Sequence, residues 1–206
     1  KGCLSESAEA DFISAFGTDP FSTHQIVFME SHGIGRAASP KIEGARPGLY
    51  AISLSANGER SFTYWRADSA ARRLADDSEC LCSRLADRNL IYFSGITLAI
   101  LTPKGRAKVL QAISAARTAG ALIAFDPNFR EHLWASREEA RDAITAGLAC
   151  ADIALPTFDD EQVLFGDSDP GETAKRIAQS GVREIVVKNG GYGCLVLDSG
   201  LDAGVM

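Results

Sequence analysis

Several things that would assign this chain to a class are missing from it. No apolar run approaches ~18 residues, so no membrane-spanning helix is expected. The start, KGCLSESAEADF, has no apolar core of a secretory signal, so none is expected there. Histidine is scarce: His24, His32 and His132 lie far apart in sequence and suggest neither a metal site nor a catalytic role. The five cysteines (Cys3, Cys80, Cys82, Cys150 and Cys194) are odd in number and scattered, and Cys80 and Cys82 are too close for a CxxC pair. Free thiols in a reduced, cytoplasmic protein are the expectation. A basic surplus is also absent. The 21 Lys and Arg against 27 Asp and Glu give a net charge of −6, which excludes a broad nucleic-acid footprint. Any anion site must therefore concentrate positive charge locally. There is no internal repeat, low-complexity tract or domain linker. What remains is an ordinary globular balance, 46% hydrophobic and 23% charged over 206 residues, enough for a single domain with a sizeable core.

The hydrophobic pattern alternates between strand and helix. DFISAF (11–16) reads as a buried strand and FSTHQIVFMESHG as a helix ending near Gly33. GLYAISLSANGERSFTYWR (48–66) breaks the rhythm with two extended runs around Asn57-Gly58, a hairpin signal. LIYFSGI (90–96) reads as a strand. Thr102-Pro103 then suits a helix start, with threonine capping and proline in the first helical position, and that helix runs to Gly120. LIAFD (122–126) reads as a strand, and Ser136 with Glu139 has capping-box spacing for the next helix. IALP reads as a strand, DDEQVLFG and PGETAKRIAQSG as helices, and EIVVK (184–188) and CLVLD (194–198) as strands. Repeated β-α-β units imply a mostly parallel sheet covered by helices, with ligands beyond the carboxyl ends of the strands. The polar clusters after Phe93, Phe125, Leu155 and Val187 all fall at such ends.

Each cluster admits a bland and a functional reading. Asp126, Asn128 and Arg130 form either a polar loop with Arg130 paired to Glu131, or an anion site using the planar donor fork of arginine. On the hairpin, Tyr64 and Arg66 share a face. A two-residue loop would set Tyr50 opposite Trp65. A three-residue loop, Ala56-Asn57-Gly58 with Gly58 left-handed, would set Tyr50 opposite Tyr64 and gather Tyr50, Tyr64 and Arg66 on one face. That face covers a site or packs as an aromatic interface, and the hairpin can serve both purposes with its two faces. Lys188, Gly190, Gly191 and Gly193 in VVKNGGYGCLV mark a structural turn or a close backbone approach to a ligand. The lysine precedes the glycines, so this is no Walker loop. Thr157, Asp159, Asp160 and Glu161 at a strand-to-helix junction fit an acidic helix start favoured by the dipole, or water-mediated Mg²⁺ binding.

Taken in order, SAFGTDPFS (14–22), the 48–66 hairpin, YFSGITLAIL (92–101), AFDPNFREHLW (124–134), ADIALPTFDDEQVLFGD (151–167) and VVKNGGYGCLV (186–196) resemble the ribokinase-like sugar kinases of the phosphofructokinase-B type. The similarity is greatest to the branch acting on 2-keto-3-deoxygluconate. The resemblance implies a three-layer α/β/α sandwich with a small β-hairpin lid at about 48–66, and an ATP- and Mg²⁺-dependent kinase for that sugar acid. It implies substrate contacts from Tyr50, Tyr64, Arg66, Ile96 and Arg130. Asn128 would lie near the transferred phosphate, and Lys188, Gly190 and Gly193 would line the nucleotide site. Thr157 and Asp160 take the place of the family's Asn-x-x-Glu magnesium motif, with Glu161 an adjacent candidate. The hairpin is also a candidate homo-oligomer surface.

The family's opening strand with its Gly-rich, Asn-containing segment, and its Gly-Ala-Gly-Asp motif with the catalytic base, have no counterpart in these 206 residues. Asp202 precedes Ala-Gly rather than following it. The fold is therefore expected to be incomplete at both ends, and a polypeptide of these residues alone is expected to have no kinase activity. The rivals are another ribokinase-like sugar kinase, such as a fructokinase or ribokinase, and a non-catalytic fragment.

Overall fold

A computed structural model describes residues 9–36, 39–55 and 57–198, so Cys3, Ala56 and Asp202 lie outside the described residues. The chain divides after Arg84 into two units, each with its own packing.

The first unit holds β1 (Ala10–Asp11), β2 (Phe16–Gly17), α1 (Pro20–Ser31), β3 (Ile34–Gly35), β4 (Lys41–Ile42), β5 (Leu49–Leu54), β6 (Arg60–Trp65) and the start of α2 (Ser78–Leu85). The single buried strand expected over 11–16 is in fact two short pieces. β1 runs parallel to β3, and β2 runs parallel to β4. Between them the chain changes partner: Phe12 N–H donates to Gly35 and Phe16 N–H to Pro40. The buried Ser39 hydroxyl fills the gap, accepting from Ser14 N–H at 2.9 Å and donating to the Phe12 carbonyl at 3.0 Å. An apolar pattern cannot reveal a side chain standing in for a ladder bond. Asp19 caps α1 through Phe21 and Ser22 N–H, with Pro20 in the first turn. The helix ends at Ser31, just before left-handed Gly33, and packs Ile26 and Met29 against Phe16.

β5 and β6 form a hairpin whose register sets Tyr50 opposite Tyr64 and Leu54 opposite Arg60. Ser55 N–H donates to Glu59, leaving three loop positions, and Gly58 has φ 83°. The three-residue register is thus the one adopted.

The second unit holds β7 (Leu90–Ser94), α3 (Gly95–Ile100), α4 (Pro103–Thr118), β8 (Leu122–Asp126), α5 (Arg137–Ala149), β9 (Ile153–Ala154), α6 (Phe158–Phe165), α7 (Pro170–Ala178), β10 (Glu184–Lys188) and β11 (Cys194–Asp198). The strand order is β11-β10-β9-β8-β7, parallel except for the antiparallel β10–β11 pair. The strand expected to reach Ile96 stops at Ser94. There the Ser94 hydroxyl accepts from Ile96 N–H and caps α3 instead. Thr102 and Ser136 cap α4 and α5 as their spacing suggests. The Glu139 carboxylate accepts from Ala135 N–H, one residue before the reciprocal partner of a capping box. IALP shortens to Ile153–Ala154, and the chain beyond it is still tied in by bonds from Leu155 N–H to Phe125 and from Lys188 N–H to Pro156.

The core of the sheet includes buried Phe93 and Phe125, stacked with centroids 4.4 Å apart, and α5 contributes the buried Ile144 and Leu148. A Cβ on Gly147 of α5 would sit 2.7 Å from the Phe125 ring. Alanine normally favours a helix over glycine by about 1 kcal/mol. Here overpacking against a buried, stacked ring outweighs that gain, and Gly147→Ala should destabilise the protein by about 1–3 kcal/mol. Gly191→Ala, whose Cβ would meet nothing within 4 Å, should stay within about 0.5 kcal/mol. Urea unfolding midpoints of the two variants measure both; equal midpoints would contradict this packing.

Candidate active site at the strand ends

Parallel strands end where their connections leave the sheet, and in the second unit three of those ends converge on one carboxylate. Asp126 closes β8, opposite Ser94 at the end of β7. It is buried. One carboxylate oxygen accepts from Asn128 N–H at 3.2 Å, and the other accepts from the Lys188 ammonium at 2.7 Å. Lys188 closes β10, and its backbone bridges to Thr157. Burial pushes the Tyr92 phenol up, and the Asp126 charge pushes it further in the same direction. Asp126 therefore sets the start of the following turn and fixes a cation two strands away. Asn128 has φ 39°, a left-handed conformation that asparagine tolerates better than most residues. A Cβ at Gly95 would lie 1.9 Å from the Pro127 carbonyl, so the Ser94-Gly95 turn and the Pro127 turn meet backbone to backbone. Ile96 follows, partly buried in the first turn of α3.

Arg130 does not pair with Glu131, which bonds Arg137 at 2.7 Å. It donates to the Phe129 carbonyl at 2.6 Å and reaches Asp160 at 3.4 Å, with its side chain 46% exposed. Asp160 sits in the first turn of α6. Burial raises its carboxyl above the usual range, Arg130 pulls the other way, and the Asp126 charge adds to the rise. Thr157 occupies the cap position of α6 without a side-chain capping bond. Glu161 goes elsewhere. It is fully buried and bound to Arg176 at 2.8 Å, and burial pushes its carboxyl up to about 7. The structure thus brings Asp160 to Arg130 and Thr157 to Lys188, and engages Glu161 with α7.

Between β10 and β11 the chain makes a tight turn over Gly190–Tyr192, closed by Asn189 N–H on the Gly193 carbonyl at 2.8 Å. Gly190 has φ 53° and Gly193 has φ 88° with ψ −138°, the latter a conformation almost confined to glycine. Nothing lies within 4 Å of a Cβ at either position, so the requirement is conformational and the surface above the turn is open.

In the first unit the hairpin register places Tyr50, Tyr64 and Arg66 on one face. The tyrosine ring centroids are 6.2 Å apart, and the Arg66 guanidinium lies 4.1 Å from the centre of the Tyr64 ring. Phe62 joins this face, stacked on Tyr64 at 6.1 Å.

Sequence reasoning missed Phe62 and Tyr92 as site residues, and named Asp126 only as a member of the polar cluster with Asn128 and Arg130, without its partner Lys188. Phe62 was available from the two-residue period of FTYWR. Asp126 was signalled by a charge ending an apolar strand. Tyr92 had no local signal, because its partner lies on the neighbouring strand.

The model of the pfkB family carbohydrate kinases matches residues 4–205. The 2-dehydro-3-deoxygluconokinase of Dickeya dadantii (strain 3937) is 40% identical over 193 residues, covering 93% of this chain and 62% of that protein. Fructokinase-1 of Zea mays is 31% identical over 186 residues, 90% of this chain and 57% of that protein. Among solved structures, the PfkB protein from Polaromonas sp. JS666 superposes with a TM-score of 0.82 at 26% identity, over 96% of this chain and 66% of that one. A putative ribokinase II from E. coli in complex with ATP and Mg²⁺ gives 0.78 at 22%, over 95% of this chain and 61% of that one. The chain spans about three fifths of the length of the gluconokinase it matches, 62%.

Replacing Lys188 with methionine removes the cation from a buried carboxylate while keeping most of the side-chain volume. Leaving such an acceptor unsatisfied costs about 1–3 kcal/mol. Lys188→Met should lower stability by about that amount at neutral pH, and Lys188→Met with Asp126→Asn should recover part of it. Chemical denaturation of the two variants checks this; a single variant as stable as the parent would show that the pair contributes nothing.

Proposed function

This chain belongs to the pfkB family of carbohydrate kinases and has the ribokinase-like fold, and from that premise we propose that the full-length protein transfers the γ-phosphate of ATP to 2-keto-3-deoxygluconate, giving the 6-phosphate. The observation that carries this reading is the strand-end cluster. There the exposed Arg130 guanidinium stands beside the Asn128 turn, at the same carboxyl end of the sheet as Lys188 and its glycine turn. Greater identity to the gluconokinase than to the fructokinase supports the acid substrate over a neutral sugar. The chain forms a single kinase domain in this reading, with the 48–66 hairpin as its lid, and works in the cytoplasm, where its described cysteines stay free.

The roles follow from chemistry. Arg130 offers a donor fork to the substrate carboxylate. Tyr50, Tyr64 and Arg66 contact the sugar acid from the lid, and Ile96 packs against it. Asn128 lies near the transferred phosphate, and Lys188, Gly190 and Gly193 hold the nucleotide phosphates by charge and by backbone approach. Asp126 keeps the Lys188 ammonium in place at 2.7 Å. The described residues include no cluster of three or more groups able to hold a metal alone. That suits Mg²⁺, which keeps several waters and takes one or two carboxylates with substrate phosphates. Asp160, with Asp126 near enough to act on its charge, fits that donor set better than Glu161, which is already bound to Arg176. When bound, the ion neutralises charge developing on the phosphates. No residue of this chain is assigned as the base. The hairpin face opposite Tyr50 and Tyr64, with Leu49 and Trp65 exposed, is the surface for a second copy.

A charge-assisted hydrogen bond contributes roughly 1.5–3 kcal/mol. Arg130→Ala and Arg66→Ala in the full-length protein should each lower kcat/KM for 2-keto-3-deoxygluconate about 10- to 150-fold. An analogue lacking the carboxylate should lose much less. Lysine should rescue Arg130→Ala poorly, because a point charge cannot reproduce the fork. Equal losses on both substrates would assign the arginine to the fold or the phosphate. No change on either would remove it from the site and favour a neutral-sugar kinase.

A further inference from the structure

α6 has eight residues, too few to be stable as a helix on its own, so its placement depends on what grips it. At the end nearer the strand ends the backbone is tied to β10 through Thr157 and Lys188, but Thr157 makes no side-chain capping bond and the Arg130–Asp160 contact is long, at 3.4 Å. A tighter side-chain grip comes from α7, on Glu161 in the first turn and on Asp167 in the exit turn. Arg176 Nη2 donates to Glu161 at 2.8 Å and to Asp167 at 2.6 Å, while Arg176 Nε donates to Asp167 at 2.9 Å. Its guanidinium also lies 3.9 Å from the centre of the Phe165 ring. Asp167 follows the left-handed Gly166 that ends α6, and accepts a further bond from the Thr173 hydroxyl at 2.7 Å. Arg141 of α5 donates to the Leu164 carbonyl at 2.6 Å. Three residues of α6 and its exit turn thus converge on one planar cation. Glu161, the first of them, is fully buried, and its Oε1 has no hydrogen-bond partner among the described residues. A buried carboxylate so poorly satisfied is costly to keep for stability alone.

We propose that Arg176 is a positioning residue for the phosphate-transfer site: by holding Glu161 and Asp167 together it fixes the rotation of α6, and so the direction in which the adjacent Asp160 carboxylate faces the strand ends. Glu161 and Asp160 are neighbours on the helix, about 100° apart. Anchoring Glu161 inward therefore sets where Asp160 points. This rests on the reading of Asp160 as the carboxylate that meets the divalent ion with the nucleotide. Arginine is required in particular, because a lysine ammonium cannot bridge both carboxylates in a fixed plane. Groups that orient a metal-facing ligand from behind alter metal affinity about 10- to 100-fold when removed.

The test uses full-length protein and Mn²⁺ as the probe, with free Mn²⁺ read by electron paramagnetic resonance in the presence of ATP and no sugar. Arg176→Lys should weaken Mn²⁺ binding about 10-fold and raise the Mg²⁺ needed for half-maximal turnover by a similar factor. The ATP KM at saturating Mg²⁺ should change less than twofold. Thr173→Val, a milder change that loosens only Asp167, should shift Mn²⁺ binding in the same direction by a smaller factor, and it keeps the proposal testable if the arginine variant does not fold. Asp160→Ala separates the two layers of inference. If it weakens Mn²⁺ binding while folded Arg176→Lys and Thr173→Val bind like the parent, the positioning role is overturned and the role of Asp160 stands. If Asp160→Ala binds Mn²⁺ like the parent, the metal reading fails and the positioning role with it. A lower Tm with unchanged Mn²⁺ affinity would mark the arginine as a purely structural clamp.

Discussion

A single ion pair, Lys188 to Asp126 at 2.7 Å, joins the ends of two strands that are not neighbours in the sheet. Asp126 is buried, and a buried carboxylate is tolerated only when its lone pairs are used. Here one oxygen starts the turn that leads through Asn128 to Arg130, and the other fixes the lysine that precedes the glycine turn. The turn after β8 and the glycine turn after β10 are therefore coupled through one side chain. The neighbouring pair, Arg130 with Asp160, is looser at 3.4 Å and more exposed. Each cation thus stands beside a carboxylate before any anion arrives. In the proposed reading an incoming carboxylate or phosphate competes with that carboxylate, which would favour ligands carrying full negative charge over neutral ones.

The elements that were legible in the sequence are those whose signals are local. β8, β10 and β11 run over the residues their apolar patterns mark, and Thr102-Pro103 and Ser136 start helices because capping acts within a few residues. The hairpin register followed from one argument about Gly58. Failures arose where a distant group took over a local role. Ser39 replaces a ladder bond and divides the 11–16 segment. The end of β7 was a different miss, a local cap by Ser94 on Ile96 N–H inside a run that reads as apolar strand. The strand-end polar clusters were visible as sequence, but their pairing was not. Arg130 meets Asp160 thirty residues away rather than its neighbour Glu131, and Lys188 meets Asp126 across sixty-two. Glu161 shows the same limit from the other side, since an acidic residue beside a candidate metal position is claimed by an arginine on the next helix.

The family is established by a match over nearly the whole chain, while the choice of substrate rests on few side chains. That division is physical. A β-α-β sheet sets where the strand ends lie, and many chemistries can be built on those ends. The proposed preference for an acid over a neutral sugar would come down to arginines, because a fixed cation distinguishes substrates of similar size by their charge.

The most direct measurement is a competition assay in which the full-length wild-type protein, with ATP and Mg²⁺, is offered 2-keto-3-deoxygluconate and fructose together. One charge-assisted contact of roughly 1.5–3 kcal/mol should give the acid at least about a tenfold advantage in kcat/KM. Phosphorylation of fructose at an equal or greater rate constant would contradict the assignment of this site to a sugar acid.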